Sequence, residues 1–272
     1  MTTWADLSLD TPVDDLPDLT SIVDSPQSVD AVTVVIDEYR QADRGLALGA
    51  LSDEELVACA PVGAEVRPHG TWYASLGDRE RRTARATALR SLTTREELYV
   101  ESGDDGLQAR MSLRLMALLR LRREPVVLSA QGMTRQGPSW YQLRRYDDVW
   151  LREVVSEHGF HSHDLVPLDE MEETFFRVFC ALGDKPQPSQ ASFRQSADGL
   201  PSRQLRGFLA EQRHVTQLAM VHPGEDVPES YVVCVDQHNA MTIGVPDGDD
   251  LVYSGGSADT VVERWRAWRD LW

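Results

Sequence analysis

The chain has 272 residues, 42% of them hydrophobic and 26% charged, which is enough to bury the core of one large domain or two small ones. Its 44 acidic residues outnumber 27 basic ones, and the net charge of -17 opposes binding to nucleic acid or anionic lipid. The sequence has no apolar run long enough to span a bilayer and no basic-then-apolar leader at Met1. We therefore expect a cytoplasmic protein with no membrane partner.

The first segment, residues 1–24, is rich in aspartate and lacks basic residues, and Pro12 and Pro17 interrupt any helix there. Such a composition favours a disordered acidic arm. Ser25 followed by Pro26 then predicts a helix start, and Ser52 with Glu55 has the spacing of a capping box. These helices open an N-terminal region that we place at residues 25–182.

The segment 78–97 predicts the strongest helix, because it lacks glycine and proline and carries Ala84, Ala88 and Leu92 on one face. A second strong helix is expected over residues 108–122. The region 79–123 is locally basic, and Arg79, Arg82, Arg85 and Arg90 could face phosphates in a winged-helix arrangement. A DNA-binding regulator is therefore an alternative function.

From Pro125 onward the apolar pattern changes to a period of two. It predicts two blocks of four strands that each end in a helix, with a polar linker at residues 183–202 between them and the second block within residues 203–272. Links of hairpin length require antiparallel pairing. The fold class is therefore α+β, with pseudo-duplicated antiparallel sheets and flanking helices. The strands are expected at 126–128, 140–143, 149–155, 160–166, 215–221, 231–236, 240–245 and 251–254, and the helices at 168–182 and 257–271.

A cluster of histidines follows the third strand of the first block, with His158, His161 and His163 close to Asp164. On a strand, His161 and His163 share a face while Asp164 points to the other side, so no further ligand can be assigned to complete a metal site. The sequence therefore predicts no metal, no cofactor and no catalytic residue. An enzyme that uses these histidines with a metal is a second alternative.

Five stretches within residues 46–272 follow one another in a distinctive order. They read "RSLTTREELYV", "GLQARMSLRLMALLRLRREPVVLSA", "VWLREVV", "YVVCVDQHNAMTIGVP" and "DTVVERWRAWRDL". Together they resemble the EspG family, which is associated with the ESX (type VII) secretion systems of actinobacteria. The resemblance implies a cytosolic, non-enzymatic chaperone with a quasi-two-fold α+β fold that holds the hydrophobic tip of a helical secretion substrate.

Strands with one accessible face could provide such a contact. In the second block, Tyr231, Val233 and Met241 are the expected partner-binding residues, because polar and aromatic side chains alternate on those strands. The predicted partner is a protein rather than a nucleic acid.

Overall fold

A computed structural model describes residues 19–42, 44–60, 75–103, 106–134, 137–196 and 201–272. The chain divides into two compact units. Unit 1 comprises Met1–Pro125 and Tyr146–Val166, and unit 2 comprises Val126–Arg145 and Pro167–Trp272. Among the described residues, no helix combines the length and the apolar character needed to cross a membrane.

The described residues form helices α1 to α8, and the sixth is followed by a π-helical turn at Phe175–Phe179 and a 3₁₀ turn at Leu182–Asp184. The helices are α1 (Thr20–Val23), α2 (Pro26–Gln41), α3 (Asp53–Ala58), α4 (Asp78–Thr94), α5 (Leu113–Leu121), α6 (Leu168–Thr174), α7 (Arg203–Ala210) and α8 (Ala258–Arg269).

The same residues form strands β1 to β13. They are β1 (Leu46–Ser52), β2 (Leu98–Gly103), β3 (Gly106–Met111), β4 (Val126–Thr134), β5 (Gly137–Tyr146), β6 (Val149–Val155), β7 (Phe160–Leu165), β8 (Gln187–Pro188), β9 (Phe193–Ser196), β10 (Gln212–Met220), β11 (Glu229–Asp236), β12 (Ala240–Asp247) and β13 (Asp250–Gly255).

In unit 1, strands β1, β7 and β6 lie side by side in that order and are antiparallel, while β2 and β3 form a separate hairpin. Helix α2 buries Ala31, Val32, Val35 and Ile36 and packs on α5. These positions lie on one helical face, so apolar burial explains the pairing of the two helices. They belong to one core that also contains apolar residues of β1, β6 and β7.

Strand β1 pairs only with β7 among the described residues. Its outer side is covered by two arginines. Arg114 Nη1 donates to the carbonyl of Ala47 at 3.2 Å, and Arg95 Nη1 donates to the carbonyl of Ala50 at 3.0 Å. Backbone acceptors that an edge strand would otherwise leave open are therefore occupied.

Unit 2 is built on an antiparallel sheet with the strand order β5-β4-β10-β11-β12-β13-β9, to which β8 adds a short parallel pairing with β12. Helix α8 buries Val261, Trp265 and Trp268. Helix α7 packs Leu205 against Cys234 and Tyr253 of the sheet. Burial of one face of each helix accounts for their positions on the sheet.

The predicted fold class is confirmed: the protein is α+β with antiparallel strands and flanking helices. In chain order, β4–β7 are followed by α6 and β10–β13 by α8, as the strand periodicity predicted. The predicted helix over 78–97 is α4, and Ala88 and Leu92 lie on its buried face.

Several boundaries differ from the sequence-based expectation. The helix expected over residues 108–122 is shorter, because Gly106–Met111 form β3 and α5 spans only Leu113–Leu121. Residues 19–24 were assigned to the acidic arm, but Leu19 and Val23 are buried in unit 1, since their spacing places both on one side of α1; the remainder of the predicted arm lies outside the described residues. The predicted linker 183–202 contributes β8 and β9 to the sheet. The compact units also group 126–145 with the C-terminal part of the chain, whereas we expected one region over 25–182.

Candidate functional site

The predicted partner-binding residues lie in the interior of unit 2. Tyr231, Val233 and Met241 are 1%, 0% and 0% exposed. Helix α8 explains the burial of Tyr231, because its Arg264 guanidinium lies 5.4 Å from the centre of the Tyr231 ring. Burial also raises the pKa of the Tyr231 hydroxyl, which donates to Met220 Sδ at 3.8 Å. None of the three offers a contact surface as the protein is folded.

The histidines on β7 show the predicted arrangement. His161 and His163 point to the buried side of the strand, whereas Asp164 points to the other side and accepts a 2.9 Å hydrogen bond from Arg152 Nε. His158 lies in the preceding turn, where its ring is 74% exposed. The buried pair is therefore separated from His158.

Two carboxylates from other elements contact His161. Its Nδ1 lies 2.7 Å from Oε1 of Glu153 on β6, and its Nε2 lies 2.7 Å from Oδ1 of Asp53, the first residue of α3. A carboxylate can only accept hydrogen bonds. With both carboxylates ionised, both ring nitrogens donate, which is the hydrogen-bonding pattern of an imidazolium.

Asp53 is held in place by the turn before β7. Its amide donates to the carbonyl of Gly159 at 2.9 Å. Gly159 has φ of +72°, and a Cβ at this position would lie 2.5 Å from Asp53 Oδ2. Only glycine accepts both this backbone conformation and the close carboxylate.

Arg122, which follows α5, supplies the second positive charge. Its Nη2 lies 2.9 Å from Oε1 of Glu153 and its Nε lies 3.3 Å from Oε2, so the guanidinium donates to both oxygens. The two carboxylates are thus balanced by Arg122 and the protonated His161. This balance allows the charges to be buried, since an unpaired buried charge is strongly unfavourable.

Folding shifts the pKa values of the two buried histidines in opposite directions. Burial by itself lowers the pKa of His161, but the hydrogen bonds to Asp53 and Glu153 outweigh it and the pKa is raised above 6.5. For His163, burial dominates and the pKa is lowered. The hydrogen bonds thus favour the charged form of His161, whereas burial favours the neutral form of His163.

His163 has unsatisfied ring nitrogens. Neither Nδ1 nor Nε2 has a hydrogen-bond partner among the described residues, although the side chain is 0% exposed. Its Nε2 lies 3.5 Å from Oε1 of Glu153, the residue directly opposite it in the β6–β7 register. That distance is too long for a good hydrogen bond. Buried polar atoms without partners are uncommon and call for an explanation.

A groove lies on the surface of unit 1 next to this cluster. It has a volume of about 540 Å³ and is bordered by Phe160, which is 58% exposed. Its lining comes from β1, α3, α4, the residue after α4 and the start of β7, namely Ala50, Ser52, Glu54, Glu55, Ala84, Thr87, Ala88, Ser91, Arg95 and Phe160. Ser52 and Phe160 are the chain neighbours of Asp53 and His161, so the groove lies beside the charged cluster.

Glu55 fixes one wall of the groove. Its Oε2 accepts from the Ser52 amide at 3.0 Å, which completes the capping box predicted from the sequence. Its Oε1 accepts from Ser91 Oγ at 2.8 Å and lies 2.9 Å from Arg95 Nη2. These contacts hold α3 against α4 and leave little freedom in the wall.

Sequence reasoning missed Asp53, Glu153 and Arg122 as partners of the histidines. The signal for Glu153 was present, because it shares the inward face of β6 with Leu151 and Val155. An acidic residue at such a position needs a buried partner. Asp53 and Arg122 come from elements distant in sequence, and no local pattern indicates their approach.

The arginines proposed for DNA contact do not share one surface. Arg79 and Arg82 are exposed on α4, whereas Arg85 is 8% exposed and directed inward. Its burial follows from the helical spacing that places it beside Leu89 and Leu92.

Comparison with known proteins found matches among solved structures. No family model and no curated protein match the chain. The Mycobacterium tuberculosis type VII secretion system chaperone EspG5, solved in complex with a PE25-PPE41 dimer, matches with 6% sequence identity and a TM-score of 0.40, over 68% of this chain and 84% of that chain. A likeness at this level does not assign the chain to a family or indicate its function.

Proposed function

We propose that the protein is a cytosolic, non-enzymatic chaperone or adaptor that binds a helical segment of a protein partner in the groove of unit 1. The groove carries this proposal, because it combines an exposed aromatic side chain with a wall of small residues. A groove of this kind accepts the apolar face of an amphipathic helix.

The α4 wall favours a helix as the occupant. Ala84, Thr87, Ala88 and Ser91 line the groove at helical spacing. Small side chains allow a partner backbone to approach closely, and Phe160 supplies an apolar contact at the border. A partner that adds a strand is disfavoured, because Arg95 and Arg114 already bind carbonyls of β1.

The chemistry of the buried groups favours binding over catalysis. His161 and Glu153 are 1% and 0% exposed, so a substrate has no direct access to them. Burial also raises the pKa of the thiols of Cys59 and Cys234 to about 12, which suppresses the reactive thiolate. The net charge of -17 disfavours an acidic partner.

The choice of a type VII secretion substrate as the partner rests on the sequence resemblance over residues 46–272. Under this proposal the chaperone shields the apolar tip of a helical substrate until secretion. Binding of this kind depends on apolar burial and survives added salt, whereas a phosphate contact weakens steeply.

The test is site-specific photo-crosslinking in the native host. A photoreactive residue at Thr87 is expected to crosslink a helical segment of a secreted protein, while the same residue at Val34, which is equally accessible on α2, is not. Phe160→Asp should abolish the crosslink and Tyr99→Asp, at another exposed aromatic of unit 1, should retain it. Crosslinks to nucleic acid, or equal crosslinking from both positions, would contradict the proposal.

A further inference from the structure

We propose that Glu153, His161 and His163 form a binding site for one divalent transition-metal ion of the Zn²⁺ class, and that Asp53 is the positioning residue for His161. The sequence alone predicted no metal, because it gave the two histidines no further ligand. The β6–β7 register supplies that ligand by placing Glu153 opposite His163. The inference does not depend on the proposed partner.

The donor atoms are close enough to share one ion. Oε1 of Glu153 lies 2.7 Å from Nδ1 of His161 and 3.5 Å from Nε2 of His163. With metal–ligand distances of about 2.0–2.2 Å, neighbouring ligands around a tetrahedral ion lie roughly 3.3 Å apart. The two observed distances bracket that value, so small side-chain shifts suffice.

His163 provides the independent evidence for a ligand. Both of its ring nitrogens lack hydrogen-bond partners among the described residues, in a fully buried side chain on a strand. Burial removes water from Nε2, and no group among the described residues replaces that hydrogen bond. A cation bound to Nε2 would satisfy this atom.

Asp53 gives His161 the orientation typical of a metal ligand. In metal sites, the ring nitrogen that does not bind the ion commonly donates to a carboxylate. Here Nε2 of His161 lies 2.7 Å from Asp53 Oδ1, which leaves Nδ1 for the ion. The ion would replace the Nδ1 proton between His161 and Glu153.

Arg122 limits the affinity of the site for a cation. It donates to both oxygens of Glu153, so an ion at Oε1 would take the place of the hydrogen bond from His161 Nδ1. The positive charge of Arg122 weakens the affinity. Imidazole and carboxylate ligands favour Zn²⁺ or Ni²⁺ over Ca²⁺ and Mg²⁺, which prefer sites built from oxygen. The burial of all three ligands fits a structural ion rather than a catalytic one.

The experiment uses the full chain without a histidine tag, expressed in zinc-supplemented medium and dialysed before metal analysis. We expect one zinc per chain, and a higher thermal unfolding midpoint than in the chelator-treated protein. Adding Zn²⁺ to the treated protein should restore the midpoint, and adding Mg²⁺ should not. Less than a tenth of an equivalent of zinc, with no shift of the midpoint on addition of Zn²⁺, would overturn the proposal.

Variants test the assignment of the ligands. His163→Gln should weaken zinc binding by at least ~100-fold, and Asp53→Asn by about 10–100-fold, the loss typical of a missing outer partner. The matched control His158→Gln changes an exposed histidine in the adjacent turn and should leave affinity and stoichiometry unchanged. Binding that survives in His163→Gln but is lost in His158→Gln would place the ion at the surface and refute the site.

A measurement on the wild-type chain keeps the test valid if a ligand variant fails to fold. In histidine side-chain ¹⁵N spectra, Zn²⁺ should shift Nε2 of His163 and Nδ1 of His161 and leave both His158 nitrogens in place. A shift confined to His158 would contradict the proposal.

Discussion

Both units have apolar cores, but unit 1 also buries a charged cluster, whereas unit 2 buries a group of stacked and tilted aromatic rings. In unit 1, β6, β7 and α3 meet at the charges of Glu153, His161 and Asp53. In unit 2, aromatic rings fill the core, with Phe175 and Trp265 centred 4.7 Å apart and Trp265 and Trp268 5.4 Å apart. Charged groups require a defined set of partners, whereas rings tolerate adjustment. The units should therefore differ in their sensitivity to lost charge and to pH.

The largest effect is expected from Glu153→Ala in unit 1. It leaves Arg122 and the protonated His161 buried without the carboxylate that both contact. Loss of one member of a buried ion pair costs about 3–5 kcal/mol, and the upper end applies because Arg122 and His161 each lose a contact, although His161 keeps Asp53. Denaturant unfolding measures the loss. A cost below about 1 kcal/mol would show that water or another group already solvates this cluster.

A smaller loss is expected from Trp265→Ala in unit 2. Truncation of a buried tryptophan costs about 3–5 kcal/mol, and we expect a value near the lower end because the Phe175 and Trp268 rings can move into the space. The cost should not vary with pH, since the ring neighbours of Trp265 among the described residues are Phe175, Phe176 and Trp268, which do not titrate. Unfolding curves at two pH values provide the check, and a strong pH dependence would contradict the comparison.

In the chelator-treated protein, the two buried histidines of unit 1 should lower the free energy of unfolding at both ends of the pH range. The pKa of folded His161 is raised above 6.5, so its contribution is complete below 6.5 and disappears as pH rises through the folded value. The pKa of folded His163 is lowered, so stability falls as pH drops below 6.5, where the unfolded chain binds the proton first.

Urea unfolding between about pH 5 and 8 separates these two contributions. His161→Gln should remove the loss on the alkaline side, and His163→Gln should reduce the loss on the acid side. His158→Gln is the control, because its exposed ring should leave the profile unchanged. An unaltered profile in both test variants would show that neither ring titrates with folding.

The smallest effect is expected at the thiols, which should be equally unreactive in the two units. Cys59 of unit 1 and Cys180 and Cys234 of unit 2 are buried, and burial raises the pKa of each. A thiol reagent at neutral pH should modify none of them in the native protein and all 3 in denaturant. Rapid labelling of one thiol in the native state would identify a locally open region.

Local sequence patterns predicted the helices and strands better than the contacts between them. The period-two stretches gave the strands of both blocks, and the same period placed His161 and His163 on one face of β7. Strand β1 was missed because its sequence, LALGALS, is rich in small residues and lacks the β-branched side chains typical of strands.

The candidate site was largely beyond local inference. Asp53 reaches His161 across 108 residues of sequence, and Arg122 reaches Glu153 across 31. We expected a surface position for Tyr231, Val233 and Met241, because periodicity alone does not show where the later helix α8 packs. Contacts between distant elements determine both results.

The arginines bound along β1 bear on how the protein behaves at high concentration. An open strand at the border of a sheet is a template for pairing with another copy of the same chain. Arg95 and Arg114 occupy carbonyls of Ala50 and Ala47, so a second molecule finds two acceptors already taken. Arg95 and Arg114 thus oppose polymerisation through β1. The double variant Arg95→Ala with Arg114→Ala should aggregate at protein concentrations where the wild type remains dispersed.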